Sequence, residues 1–234
     1  MATVQVKALT KDYGEGDAIV HALRGVDLAV EEGAFSVIAG PSGSGKSTLL
    51  NLISGLDNPT SGSVLLSGQE VGSLSVRERA ELRRDKVGFI FQAYNLFPVL
   101  TVVENTEYVL MLQGVGADER RERVTRILER VGLSGKENRF PRELSGGQQQ
   151  RVAIARAIVT EPSLILADEP TANVDSNTAQ SLLDLMEELN QEKNITFVFS
   201  SHDHAVMQRS REMILLKDGS IAARGSYDEI QEQV

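Results

Sequence analysis

The sequence contains no cysteine. That excludes a disulfide framework and any thiolate metal site, and it fits a reducing compartment. It also lacks a long apolar run. Nothing approaches the ~20 consecutive apolar residues that a membrane-spanning helix needs. Work at a membrane would therefore leave the spanning to another chain. The first residues, Met1-Ala-Thr-Val-Gln-Val6, show no basic segment followed by an apolar core, so no signal peptide is expected. Positive charge is scarce as well. Lys and Arg number 24 against 33 Asp and Glu, a net charge of −9. A general nucleic-acid grip is not expected on that balance. An anionic ligand has to be held by local donors, not by the global field. No fixed-period repeat or low-complexity tract occurs. The rest is ordinary: 234 residues with 41% hydrophobic content, enough for a sizeable core in one domain or in one domain with an insertion.

What is present begins with Gly40-Pro41-Ser42-Gly43-Ser44-Gly45-Lys46-Ser47-Thr48. Before it stands Phe35-Ser-Val-Ile-Ala39, an apolar run of buried-strand type. After it, Leu49-Leu-Asn-Leu-Ile53 reads as a helix start. Strand, glycine loop and helix carry the phosphate-loop pattern G-x-x-x-x-G-K-[ST]. Glycines let the backbone approach a polyphosphate without a Cβ clash. The loop N–H groups form an anion nest, and the helix N-terminus adds partial positive charge. Lys46 supplies a full charge for the β- and γ-phosphates, and Ser47 a hydroxyl for Mg²⁺. A chance match is expected in on the order of 1% of chains this long, so nucleotide binding is the working premise.

The chain around this loop reads as follows. Residues 3–9, 18–23 and 26–30 predict three strands, the last two joined at Arg24-Gly25. Their spacing leaves no room for helical crossovers, so antiparallel pairing is expected. Tyr13 falls between the first two. Residues 63–66 and 86–91 predict strands and 76–84 a helix, with Gln92 at the end of the second strand. Residues 101–113 and 118–131 predict helices. In the latter, Val124, Ile127, Leu128 and Val131 form one apolar stripe. No strand signal occurs between Gln92 and the helix after Ser145, so 93–160 reads as mostly a helical insertion. Residues 163–167 and 195–199 predict further strands, and Ala179, Leu182, Leu183, Met186 and Leu189 give the helix between them an apolar face. Met213–Leu216 and Ser220–Ala223 flank an Asp-Gly turn and predict a hairpin.

Alternating strands and helices imply a parallel α/β sheet, whose ligands bind beyond the carboxyl ends of the strands. Four expected strand ends carry polar groups: the phosphate loop, Gln92, Asp168-Glu169 and His202. Asp168 can hold Mg²⁺ across from Ser47. Glu169 is a candidate base or polarising group for an attacking water. Gln92 can ligate the metal or orient water, and His202 can donate to a γ-phosphate oxygen or to Glu169. Leu144-Ser145-Gly146-Gly147-Gln148 opens a further helix. Ser145 is a natural N-cap, and the glycine pair exposes N–H groups as a second anion site.

With these motifs in this order, the sequence resembles the nucleotide-binding subunit of ATP-binding-cassette transporters over nearly its whole length. Gly40 to Ser47 match the Walker A loop, Gln92 the Q-loop and Leu144 to Gln148 the signature. Leu164 to Asp168 match the Walker B strand, Glu169 the catalytic glutamate, Ala172-Asn-Val-Asp175 the D-loop and His202 the switch histidine. Val174 stands where the family usually has Leu. Tyr13 falls where the family stacks an aromatic on adenine. The resemblance implies an α/β fold: a P-loop NTPase core with mostly parallel sheet, an N-terminal antiparallel β subdomain and an inserted α-helical subdomain. One cassette domain would span 1–234, with 1–92 and 161–234 forming the core and β subdomain and 93–160 the helical subdomain. It also implies an ATPase using ATP and Mg²⁺, an ATP-dependent homodimer, and an integral-membrane permease partner at the cytoplasmic face of the membrane. Phe91, Tyr94, Leu96, Phe97 and Pro98 are expected near its docking site. Tyr94-Asn-Leu-Phe-Pro98, Thr101-Val-Val-Glu-Asn105 and the 172–176 region look like the lipoprotein-release and macrolide-export group. A regulatory cassette that signals to a membrane partner without transport is the alternative. A soluble cassette of ribosome or DNA-repair type would carry a second cassette or a coiled-coil insert, and neither is present. A guanine-nucleotide switch is disfavoured by the absence of an N-K-x-D motif.

Overall fold

The fold is taken from a computed structural model, which describes residues 1–232. The chain opens with strands β1 (Ala2–Tyr13) and β2 (Val20–Glu31), then β3 (Phe35–Ala39) and helix α1 (Lys46–Ile53). Next come β4 (Ser61–Leu66), β5 (Gln69–Glu70), α2 (Val76–Lys86) and β6 (Val87–Phe91). Three helices follow: α3 (Val102–Leu112), α4 (Ala117–Arg130) and α5 (Gly146–Ile158). The remainder is β7 (Leu164–Asp168), α6 (Ser176–Lys193), β8 (Thr196–Ser201), α7 (His204–Arg209), β9 (Glu212–Lys217), β10 (Ser220–Gly225) and α8 (Tyr227–Gln231).

The strands form two sheets. An antiparallel sheet has the order β2-β1-β4-β5, and a second has the order β10-β9-β3-β8-β7-β6. In the second, β9, β3, β8, β7 and β6 run parallel, with β10 antiparallel at the edge. The central strands are buried on both faces, and their side chains alternate between two cores. Phe35, Val37, Ile165, Ala167, Phe197 and Phe199 face the core shared with α3 to α6. Ile38, Leu164, Leu166 and Val198 face the other, shared with α1 and the antiparallel sheet. This explains why these strands read as continuous apolar runs, not as alternating ones.

Four sequence expectations shift here. The two strands expected over 18–23 and 26–30 are one strand, β2. Arg24-Gly25 is a bulge: Leu9 pairs with Val26 and Thr10 with Arg24, leaving Gly25 as the extra residue at φ +79°. Tyr13 is the last residue of β1, paired with Val20, and does not lie in a loop between strands. β5 and α7 carry too few residues for a periodic signal and were not expected.

Helix starts have local causes. Ser75, Thr101, Ser145 and Ser226 each cap a helix and exchange hydrogen bonds with Glu78, Glu104, Gln148 and Glu229 three residues on. Hydrogen bonds from the Ser75 and Thr101 hydroxyls and N–H groups hold Glu78 and Glu104 below the usual carboxylate range. The Ser226 N–H and hydroxyl do the same for Glu229. A carboxyl with a lowered folded-state pKa contributes stability above its unfolded value and loses it as pH falls through the folded one. The urea midpoint should therefore fall as pH drops from about 5 to about 3. A flat midpoint over that window would show that the caps contribute nothing.

Candidate functional site

The parallel register brings the polar strand ends to one edge. Ala39 pairs with Ser201, Asp168 with Ser200 and Phe91 with Asp168. The phosphate loop, Gln92, Asp168-Glu169 and His202 thus leave the same side of the sheet.

The loop after β3 curls tightly. Gly40 has φ +147°, and a Cβ there would sit 2.1 Å from the Leu216 carbonyl oxygen. Gly45, the N-cap of α1, has φ +105°, and a Cβ would meet the Ala22 oxygen at 2.6 Å. No L side chain fits either position, so the curl requires glycine. Pro41, Ser42, Gly43 and Ser47 are exposed, and Thr48 is half-buried. Lys46 is buried, and its Nζ donates to the carbonyls of Gly40 (2.8 Å) and Pro41 (3.0 Å). Ser44 is buried beside it, and among the described residues its hydroxyl has no hydrogen-bond partner. An orphaned hydroxyl and an ammonium bonded only to carbonyls suit a loop built to receive an anion.

Ser47 Oγ donates to both carboxylate oxygens of Asp168, at 3.0 and 3.2 Å. Ser200 Oγ also donates to Asp168. A hydroxyl and one carboxylate are hard oxygen donors, the protein share that suits Mg²⁺ when substrate phosphates complete the shell. Among the described residues no group of three or more His, Asp or Glu side chains can hold a metal on its own. Glu169, next along, adopts φ +46°, a strained setting of the kind found at functional sites. Its side chain is 15% exposed, accepts from Ser201 Oγ at 3.2 Å and lies 2.7 Å from His202 Nδ1. His202 is largely exposed, so its Nε2 remains open to a ligand. Of its two expected partners, the structure pairs it with Glu169.

Tyr13 is 40% exposed, and its hydroxyl donates to Asp57 Oδ2 at 2.7 Å. Lys11 Nζ lies 4.7 Å from the ring centroid and donates to Asp57 Oδ1 at 2.8 Å. Burial and the Asp57 carboxylate raise the Tyr13 phenol above its usual range, against the Thr48 hydroxyl. Burial also pushes Asp57 upward, but hydrogen bonds from Lys11, Tyr13 and the Asn58 N–H outweigh it and hold the carboxyl low. One face of the ring is taken by Lys11, and its tilt is set by Asp57.

Gln92 is exposed, and its backbone carbonyl accepts from Asn173 Nδ2 at 2.8 Å. Among the described residues Asp175 makes no hydrogen bond to the phosphate loop. It caps α6, accepting from the Thr178 N–H (3.0 Å) and hydroxyl (2.6 Å), and the hydroxyl first, then the N–H, hold it low. Ser145 is exposed, while Gly146, Gly147 and Gln148 are half-buried. Among the described residues these four make no hydrogen bond to the phosphate loop of their own chain.

Sequence reasoning missed Ser200, Ser201, Lys11 and Asp57. The two serines precede His202 directly. Only the register of β8 against β7 gives them a role.

A curl of this shape can take a triphosphate, with a carboxylate and a histidine set beside it. The class is the P-loop nucleoside triphosphatases. A family model described as ABC transporter matches residues 23–172. The chain is 44% identical to the lipoprotein-releasing system ATP-binding protein LolD of Legionella pneumophila, over 92% of this chain and 95% of that one. It is 45% identical to the macrolide export ATP-binding/permease protein MacB of Hyphomonas neptunium, over 93% of this chain but 34% of that one. The fold superposes with a TM-score of 0.89 and 43% identity on the dimeric, post-hydrolysis structure of the ATP-binding cassette MJ0796 bound to ADP and Pi. That match covers 96% of this chain and 98% of the other. The chain belongs to the ABC transporter family. It is an ATP-binding, ATP-hydrolysing subunit that energises a membrane transporter.

Proposed function

We propose that this subunit works as an ATP-bridged homodimer in the lipoprotein-release and macrolide-export group, and that it moves a permease from the cytoplasmic face of the membrane. Among the described residues no helix is long and apolar enough to cross a membrane, so the spanning falls to that partner. The observation that carries the reading is that one chain holds two anion-suited helix starts, at Gly45 and at Ser145, with no hydrogen bond between them among the described residues. A triphosphate held by the first in one copy can meet the second in another.

Lys46 and the loop N–H groups hold the β- and γ-phosphates, and Tyr13 offers its free face to the adenine. Ser47 and Asp168 would hold Mg²⁺, with Gln92 as a further protein ligand. The ion neutralises phosphate charge when bound. Glu169 accepts a proton from, or polarises, the attacking water, and His202 steadies Glu169 through Nδ1 and turns Nε2 toward phosphate oxygen. Asp175 and its loop lie at the junction of the two copies. We read 93–160 as the helical subdomain of one cassette spanning 1–234. The permease docks where a groove of about 360 Å³ runs between α2, β6, α3 and α5, lined by Leu56, Phe89, Phe91, Val109 and Leu112. Phe97 and Val99 are exposed nearby.

Ser145→Arg tests the bridging. It leaves the chain's own phosphate loop intact, so nucleotide affinity should stay within about twofold. Turnover should fall at least ~10-fold, because a lost cap and a blocked interface act together. Unchanged turnover in a phosphate-release assay would contradict the head-to-tail arrangement.

A further inference from the structure

Three elements around the site converge on a side chain that none of the roles above uses. Tyr94 leaves β6 with φ +60°, and Asn95 follows at +49°. Two successive non-glycine residues in the left-handed region persist only where their surroundings hold them. Here Arg156 of α5 does so. Its guanidinium donates to the carbonyls of Tyr94 (2.9 Å) and Asn95 (2.5 Å).

From that pose the Tyr94 hydroxyl donates to the Asn173 carbonyl at 3.2 Å. The same hydroxyl roofs the first residue of α5. A Cβ on Gly146 would lie 2.8 Å from Tyr94 Oη and 3.4 Å from the Asn173 oxygen. Two more contacts seat α5 on the same segment. A Cβ on Gly147 would lie 2.5 Å from the Thr178 methyl, and Gln150 Nε2 donates to the Pro170 carbonyl at 2.6 Å. The glycine pair is therefore small for an internal reason as well as for exposing N–H groups. It lets α5 sit directly on the segment that follows Glu169, and Tyr94 closes that contact from the β6 side.

We propose that Tyr94 is a positioning residue: its hydroxyl sets the glycines that open α5 against the segment after Glu169, and so aligns Ser145 to Gln148 for the nucleotide of a second copy. The inference rests on the ATP-bridged dimer proposed above. In a symmetric dimer the contact occurs twice, so a loss at each site multiplies.

The test uses the Glu169→Gln chain with ATP and reads the dimer dissociation constant by sedimentation. Adding Tyr94→Phe keeps the ring and removes one oxygen. The constant should rise about 10-fold, a few-fold per site, as expected for one hydrogen bond. ADP affinity should stay within about twofold by the same arithmetic, and the thermal midpoint within about 2 °C. Gly146→Ala should weaken the dimer more, because its methyl strikes the hydroxyl. Combining Gly146→Ala with Tyr94→Phe should recover part of that loss, since the struck atom is gone. A thermal midpoint that stays level across the variants separates this recovery from a mere restoration of stability. An unchanged constant in Tyr94→Phe, or strictly additive losses in the double variant, would overturn the inference. Failure of the Glu169→Gln parent to dimerise would overturn the dimer reading instead.

Discussion

Glu169→Gln should bind ATP, hydrolyse it at least ~100-fold more slowly and accumulate as an ATP-bound dimer, since a positioned base contributes roughly 10²–10⁴ to rate. The substitution is nearly isosteric. The amide oxygen can still accept from Ser201 Oγ, which lies 3.2 Å from the carboxylate. The left-handed backbone at φ +46° belongs to the strand-to-loop turn and is kept by the Glu169 N–H bond to the Ser200 carbonyl at 2.9 Å. Only the proton-accepting capacity is lost. The phosphate loop, Ser47 and Asp168 are untouched, so the nucleotide is retained while its cleavage is blocked. Phosphate release and size-exclusion chromatography with ATP read the two effects together. A strictly monomeric and still active variant would remove Glu169 from the role given to it.

Lys46→Ala should act one step earlier, on binding. Loss of an ammonium that contacts phosphate oxygens should weaken ATP affinity by about 100-fold, taking hydrogen bonds to charged groups at roughly 1.5–3 kcal/mol and ~1.4 kcal/mol per tenfold. Lys46 also closes the loop from inside, through its bonds to the Gly40 and Pro41 carbonyls at 2.8 and 3.0 Å. Pro41 is exposed and Gly40 half-buried, so water can replace the lysine at those carbonyls. The fold should survive. Calorimetry with ATP, beside a thermal unfolding curve, separates lost binding from lost structure. Unchanged affinity would take Lys46 out of the nucleotide site.

The two substitutions differ in how openly the sequence displays them. Lys46 is legible because a phosphate loop is a local device: glycines, lysine and hydroxyl lie within eight residues, between a strand and a helix. The Ser145 cap is legible for the same reason, as a cap and its partner are three residues apart. Glu169 was legible as a carboxylate at a strand end, but its partners were not. His202 lies 33 residues away and Ser47 lies 121 from Asp168. The bulge at Gly25 misled because glycine in a bulge and glycine in a turn leave the same mark on a sequence. Tyr94 is expected from the sequence only beside the docking site and in a stretch that marks the subgroup, with nothing to link it to Gly146.

By itself, then, the sequence determined which strands are buried, where the helices start, how the phosphate loop curls and to which family the chain belongs. These follow from chemistry between near neighbours. The tertiary structure alone decided that β2 is unbroken, that Ser200 and Ser201 reach the two carboxylates, that Asp57 and Lys11 steady Tyr13, and that Tyr94 rests on Gly146. The first and third depend on the antiparallel sheet that β1 forms with β2 and β4, the last on the seating of one helix, and the second on the register of the parallel strands. That register comes from packing two cores against both faces of one sheet, and no short stretch of sequence contains it.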